Sequence, residues 1–200
     1  MSEEQKAAGC TSALLYWIKQ ILLIIVATLL ISTLIVQTYN INDVSMEPTF
    51  DPQGNRVLVF LTPYLFNGDP DHGDIVIVDS RVDRERSFMD RVEDNPIVSM
   101  ITGQYNEHLW IKRVIGLPGD RLEYREGSVY RNGNKLEEDY TAGPMTFEFE
   151  PIEVPDGHIY IMGDNRDRSS DSRQIGPVPI GNIQGRVVLR FFPLDKISAF

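Results

Sequence analysis

A single lysine lies in an apolar, β-branched run, Leu109-Trp110-Ile111-Lys112-Arg113-Val114-Ile115, which a Leu117-Pro118-Gly119 turn then stops. In a strand buried on both sides, Trp110, Val114 and either Ile111 or Ile115 pack around it and leave the ammonium little water. Desolvation disfavours the charged form. Lowering a lysine from its reference value near 10.4 to about 8.4 costs on the order of 2.7 kcal/mol and leaves a useful neutral fraction that can accept a proton. Such a lysine is a candidate general base. An ordinary strand lysine snorkels its head to water instead, so the reading depends on what else the chain carries. Ser45 stands in Val44-Ser45-Met46-Glu47-Pro48-Thr49, where Pro48 prevents a regular strand or helix from continuing. Alone it reads as a turn residue; beside a neutral lysine it would be a nucleophile with its base.

A third stretch, Met162 to Arg173, alternates both signs of charge after an apolar run. It reads either as a solvated loop or as an ordered network of charge-assisted hydrogen bonds. Other chemistries find little support. His72, His108 and His158 are scattered without His-Glu-x-x-His spacing, and no Walker-type loop is present, so neither a metal nor a cofactor is expected. Cys10 is the one cysteine and precedes the apolar segment, which leaves the rest of the chain no thiol nucleophile and no disulfide. A net charge of -10 argues against nucleic acid as a partner.

The elements that must position these residues divide at an apolar segment. From Gln20 to Asn42 there is no charge, and Tyr16, Trp17 and Tyr39 bracket the run as an interfacial aromatic belt would. The expected division is a polar tail over residues 1–12, a membrane helix over 13–37 and a β domain over 38–200. The segment is too long for a cleaved signal sequence and lacks a small-x-small site at its end. Lys6 and Lys19 precede it and Arg56 is the first basic residue after it, which places the N-terminus in the cytoplasm by the positive-inside tendency.

Beyond the anchor, residues 56–61, 74–78, 109–115, 121–124, 128–130, 158–162 and 185–192 read as short strands, and Arg131-Asn132-Gly133-Asn134 as a hairpin turn. The fold class expected is mainly β: a partly closed antiparallel sheet with a smaller β region. Residues 80–107 interrupt the pattern with many charges and read as a solvated surface excursion, with part helix over Arg84 to Val92.

In their order, these stretches resemble the type I signal peptidases. Ser45-Met46-Glu47-Pro48-Thr49 looks like that family's nucleophile box and Gly73-Asp74-Ile75-Val76 like its following strand. Lys112 to Asp120 looks like its general-base box, and Gly163 to Arg173 like its last. The resemblance implies a membrane-anchored serine endopeptidase with a Ser45/Lys112 dyad, removing signal peptides from secretory preproteins after small-x-small sites such as Ala-x-Ala. It implies that Ser169 orients the lysine and that Arg113, Asp164, Asp171 and Arg173 brace the site. Ile41, Met46, Phe50 and Ile111 match the apolar pockets for substrate, and residues 124–155 match a modest inserted region. The location implied is the outer face of a bacterial plasma membrane, with the lipid bilayer as second partner.

Departures from the family pattern also appear. Asp43 stands two before the nucleophile, where relatives often carry Ser or Gly near the oxyanion hole. A carboxylate aimed at a developing oxyanion is unfavourable, so Asp43 is expected to point away and leave the Ser45 backbone N–H as donor. Phe50 replaces the usual Leu, and the excursion is longer than in compact relatives. Two competing readings are a Ser/Lys peptidase that cuts itself or one dedicated partner, and a catalytically silent, membrane-tethered β module.

Overall fold

The computed structural model describes residues 3–52, 54–65, 68–103 and 106–200, without the side chains of 3–12, 63 and 65. Met1 and Ser2 of the expected tail, and the Cys10 thiol, lie outside the described residues. Helix α1 (Glu3–Leu34) carries an apolar stretch, Ala13–Leu34, of mean hydropathy 2.3, none of it buried against the rest of the protein. A helix that is apolar all round and unburied is consistent with a membrane anchor. It stops at Leu34 rather than at the expected Gln37. Strand β1 (Val36–Ile41) claims the intervening residues, with Val36 opposite Phe60 and Ile41 opposite Asn55.

The strands that follow form two antiparallel sheets, joined by short helices and loops. Strand β2 (Asn55–Phe60) pairs with β1 and is followed by a short helix, α2 (Thr62–Leu65), and β3 (Ile75–Asp79). Helices α3 (Phe88–Glu93) and α4 (Pro96–Thr102) precede β4 (Leu109–Gly116). Then come β5 (Arg121–Arg125), β6 (Ser128–Arg131), β7 (Asn134–Lys135), β8 (Ile152–Glu153) and β9 (His158–Met162). Helix α5 (Ser172–Ile175), β10 (Val178–Pro179), β11 (Ile183–Phe192) and β12 (Ser198–Ala199) complete the chain. The main sheet runs β1-β2-β11-β3-β4-β9-β10, with β12 on β11. It is open rather than partly closed: β1 and β10 are its edges.

The small sheet, β7-β6-β5-β8, begins at Arg121 and ends at Glu153, slightly earlier at both ends than expected. Asn132 and Gly133 both take positive φ in the β6–β7 turn, as a tight hairpin requires. Strand β3 is buried along its whole length because its alternate residues feed two cores. Ile75 and Ile77 join Ile41, Met46, Phe50 and Ile111, whereas Val76 and Val78 join Val114, Ile159 and Ile161. Its neighbour β4 is buried from Ile111 to Gly116 apart from Arg113, with Val76 directly opposite Lys112.

The excursion is only in part the solvated face its charges suggested: Asp83, Arg84, Glu85 and Glu93 are exposed, but other charges turn inward. The Arg86 side chain is fully buried, its Nη2 donating to Asp94 Oδ2 at 2.8 Å. Asp90 is buried as well, accepting from Arg84 Nη1 at 2.9 Å and Ser87 Oγ at 2.6 Å. Asn182, on the far side of the sequence, binds the Arg81 and Arg84 carbonyls and the Arg86 N–H, all at 3.0 Å. Opposite charges paired internally can be buried where isolated ones could not. Between the two helices, buried Asn95 donates to Ser32 Oγ at 3.1 Å and Thr33 Oγ1 at 2.8 Å, tying the excursion to the end of α1.

Candidate active site

After β1 the chain folds into one 3-10 turn, Val44–Met46, with Ser45 at its centre. The loop after β9 holds this turn from outside: Asn165 N donates to Ser45 O at 3.0 Å and Asn165 Nδ2 to Val44 O at 3.1 Å. Gly163 makes that approach possible. A Cβ there would sit 2.3 Å from Ser169 Oγ and 2.4 Å from Ser45 O, distances that no side chain tolerates.

From the opposite side β4 delivers Lys112, whose Nζ lies 2.8 Å from Ser45 Oγ and 3.0 Å from Ile111 O. The two residues are 67 positions apart in sequence, and both are buried, with 3% of Ser45 and 4% of Lys112 exposed. Burial lowers the lysine from 10.5 to about 8, against the pull of the Asp171, Asp43 and Asp164 carboxylates, which raise it, while Arg173 lowers it further. As an ammonium, Nζ donates to Ser45 Oγ; as an amine, it offers a lone pair to the Ser45 hydroxyl. Near neutral pH the second form is accessible at modest cost.

The charged loop after β9 is an ordered network. Arg113 grips Asp164 in a bidentate pair, with Nε 2.8 Å from Oδ1 and Nη2 2.7 Å from Oδ2, and stacks over the Tyr140 ring. Asp164 also accepts from Thr49 Oγ1 at 2.5 Å, four residues beyond the serine. Asp171 is fully buried and binds Arg173 Nε and Nη2, each at 2.8 Å, as well as Gly163 N at 3.0 Å. Burial alone would raise its carboxyl, but the Arg173 guanidinium and the Gly163 N–H hold it below the usual carboxylate range.

A cavity of about 140 Å³ opens beside the pair, lined by Ile41, Ile77, Leu109 and Ile111 together with the polar Asn40, Asn42 and Asp43. Met46 and Phe50, expected on the same wall, do not line it: both are fully buried in the core shared by β1, β2 and β3. Met46 faces inward from the turn, and Phe50 packs against Phe200 with ring centroids 5.1 Å apart. Ser169 was expected to hydrogen-bond Lys112. Its Oγ instead donates to Ser170 O at 3.4 Å and supports the Asp171 carboxylate.

Asp43 does not point away. Its backbone is extended, and its side chain caps the 3-10 turn, with Oδ1 accepting from Ser45 N at 2.6 Å. The first N–H groups of a helical turn have no partner within it, and aspartate readily supplies one. The histidines are engaged away from the pair: His72 contacts Asp120, His108 contacts Asp94, and His158 contacts the Asp156 carbonyl.

Residues 14–192 match the family model described as "Signal peptidase, peptidase S26". The chain belongs to the signal peptidase family, peptidase S26. It is 31% identical to signal peptidase I of Bacillus licheniformis across 97% of both chains. To signal peptidase I of Leptolyngbya laminosa it is 35% identical, over 94% of this chain and 84% of that one. It is 33% identical to thylakoidal processing peptidase 1 of Arabidopsis thaliana, of whose longer chain it covers 47%. A crystal structure of signal peptidase I from Enterococcus faecalis aligns at a TM-score of 0.41 and 29% identity, over 59% of this chain and 96% of that one. As a member of the signal peptidase family the chain is a peptidase that removes signal peptides.

Proposed function

We propose that Ser45 and Lys112 carry out the cleavage as a dyad. The observation that supports this most is a buried amine 2.8 Å from a buried hydroxyl, with a pKa lowered to about 8. Lys112, neutral, takes the proton as Ser45 Oγ attacks the scissile carbonyl. It then gives that proton to the departing amine, and water hydrolyses the acyl-enzyme with Lys112 again as base. Arg113–Asp164 and Arg173–Asp171 hold the loop that positions both residues and touch no reacting atom.

The cavity beside Ser45 is small, with one apolar wall of Ile41, Ile77 and Ile111, which favours substrates with small side chains at the positions preceding the cut, in an Ala-x-Ala-like pattern. Secretory preproteins are the substrates. Helix α1 is the anchor, with the N-terminus in the cytoplasm and residues 38–200 on the outer face of a bacterial plasma membrane. Ser45 follows the end of α1 by 11 residues, so even a fully extended chain keeps it within roughly 40 Å of the membrane surface. The test is cleavage of a model preprotein in detergent. Ser45→Ala and Lys112→Ala should both abolish it, and Lys112→Arg should fail too because a guanidinium keeps its proton. Near wild-type cleavage by Lys112→Ala would falsify the dyad.

A further inference from the structure

Attack by Ser45 places negative charge on the substrate's carbonyl oxygen, and the N–H of the nucleophile is a natural donor to it. In this structure that N–H is already taken by Asp43 Oδ1 at 2.6 Å. A carboxylate and an oxyanion cannot both sit on one N–H, because two negative charges would then be brought within hydrogen-bonding distance. The carboxylate is otherwise held only loosely, by its attraction to the Lys112 ammonium. Among the described residues it makes no other hydrogen bond, and Asp43 is exposed at the rim of the cavity that holds Ser45 and Lys112.

We propose that Asp43 gates the oxyanion hole: at rest it caps the nucleophile's turn, and it must rotate off the Ser45 N–H before a bound peptide carbonyl can be attacked. The proposal rests on the Ser45/Lys112 dyad. Asp43 is a positioning residue acting through Ser45. The carboxylate leaves only on the way to the transition state, at the expense of binding energy that a firmly seated peptide supplies and a loosely held one does not, which discriminates against casual substrates. Breaking one charge-assisted hydrogen bond on the way to the transition state slows the reaction by roughly ten- to a hundredfold.

The variants that test this are Asp43→Asn, which keeps an oxygen to cap the turn, and Asp43→Ser, which keeps a hydroxyl. They are compared with wild type as full-length protein in detergent. The charges facing Lys112 are Asp43, Asp171, Asp164 and Arg173, so removing one also moves the lysine's own titration. Rates are therefore compared near pH 10, where the amine is largely neutral in every variant. Both variants should show kcat raised about tenfold, with KM changed by less than about threefold.

A peptide aldehyde ending in alanine adds a readout that turn capping alone would not move. Ser45 Oγ adds to its carbonyl carbon, the hydroxyl proton passes through Lys112 to the former carbonyl oxygen, and no group leaves. The hemiacetal oxygen then occupies the hole, so affinity should rise about tenfold in both variants, while a non-covalent product peptide binds as to wild type. Unchanged or lower kcat and aldehyde affinity in folded variants would overturn the gate. Should the variants fail to fold, the wild-type aldehyde complex decides it. A crystal structure should show the Asp43 carboxylate displaced beyond hydrogen-bond distance from Ser45 N, and a retained contact refutes the proposal. Cleavage by Ser45→Ala under the same conditions would bring down the dyad itself, and is thereby told apart from failure of the gate.

Discussion

Replacing Lys112 by methionine should make the protein more stable while destroying its activity. Methionine fills a similar volume with no charge to desolvate. In the folded protein burial brings the lysine from 10.5 to about 8. At 1.36 kcal/mol for each tenfold change in proton affinity, that difference costs the fold about 3 kcal/mol once both states are protonated. The cost is fully present below pH 8. Between the folded and unfolded values the unfolded chain binds the proton and the native one does not, so wild-type stability rises with pH through that window. Losing the two hydrogen bonds to Ser45 Oγ and Ile111 O, at about 1 kcal/mol each, returns about 2 kcal/mol of the gain.

Urea unfolding of the full-length protein in detergent, followed by the fluorescence of Trp110, whose ring lies 5.7 Å from Nζ, reads this directly. At pH 7 Lys112→Met should raise the midpoint by on the order of 1 M, and the advantage should disappear by about pH 10.5. A difference that stays constant across that range, or a variant less stable than wild type at pH 7, would mean that the ammonium is well solvated in the native state and that burial is not what tunes it.

Gly163→Ala should cost at least a hundredfold in activity at a stability loss of about 1–3 kcal/mol, because its methyl forces apart Ser169 Oγ and the Ser45 carbonyl; preprotein cleavage alongside thermal melting separates the two effects. Asp164→Ala leaves Arg113 buried against Tyr140 without its carboxylate and should destabilise by about 3–5 kcal/mol, whereas a loss under about 1 kcal/mol in urea unfolding would show that the pair is only peripheral.

The pairing of Ser45 with Lys112 was legible through the resemblance, to which each residue adds a local mark. A lysine flanked by Trp110, Ile111, Val114 and Ile115 has few places to put its charge, and a Pro three residues after Ser45 marks an irregular turn. Antiparallel sheet followed from short β-branched runs cut by Gly, Asn and Pro, and the Asn132-Gly133 turn from its φ requirement. What stayed hidden depends on distant partners. Arg86 reads as a surface charge until Asp94 and Asn182 are brought around it. Met46 and Phe50 lie close to Ser45 in sequence, but both side chains pack into the core and do not line the cavity. Asp43 is repelled by a future oxyanion, yet at rest its carboxylate caps the otherwise free Ser45 N–H, a contact that charge alone does not reveal. For α1, apolarity extends past Leu34 into β1, and only the ladder with β2 shows where helix gives way to strand.

Proton transfer from Ser45 to a neutral Lys112 is read most directly by the pH dependence of kcat/KM for preprotein cleavage, which reports the titrating groups of the free enzyme. The rate should fall tenfold per pH unit below a single break near pH 8, the value to which burial brings the lysine. A flat profile from pH 6 to 9, or a break at the ordinary histidine value of about 6.5, would contradict it.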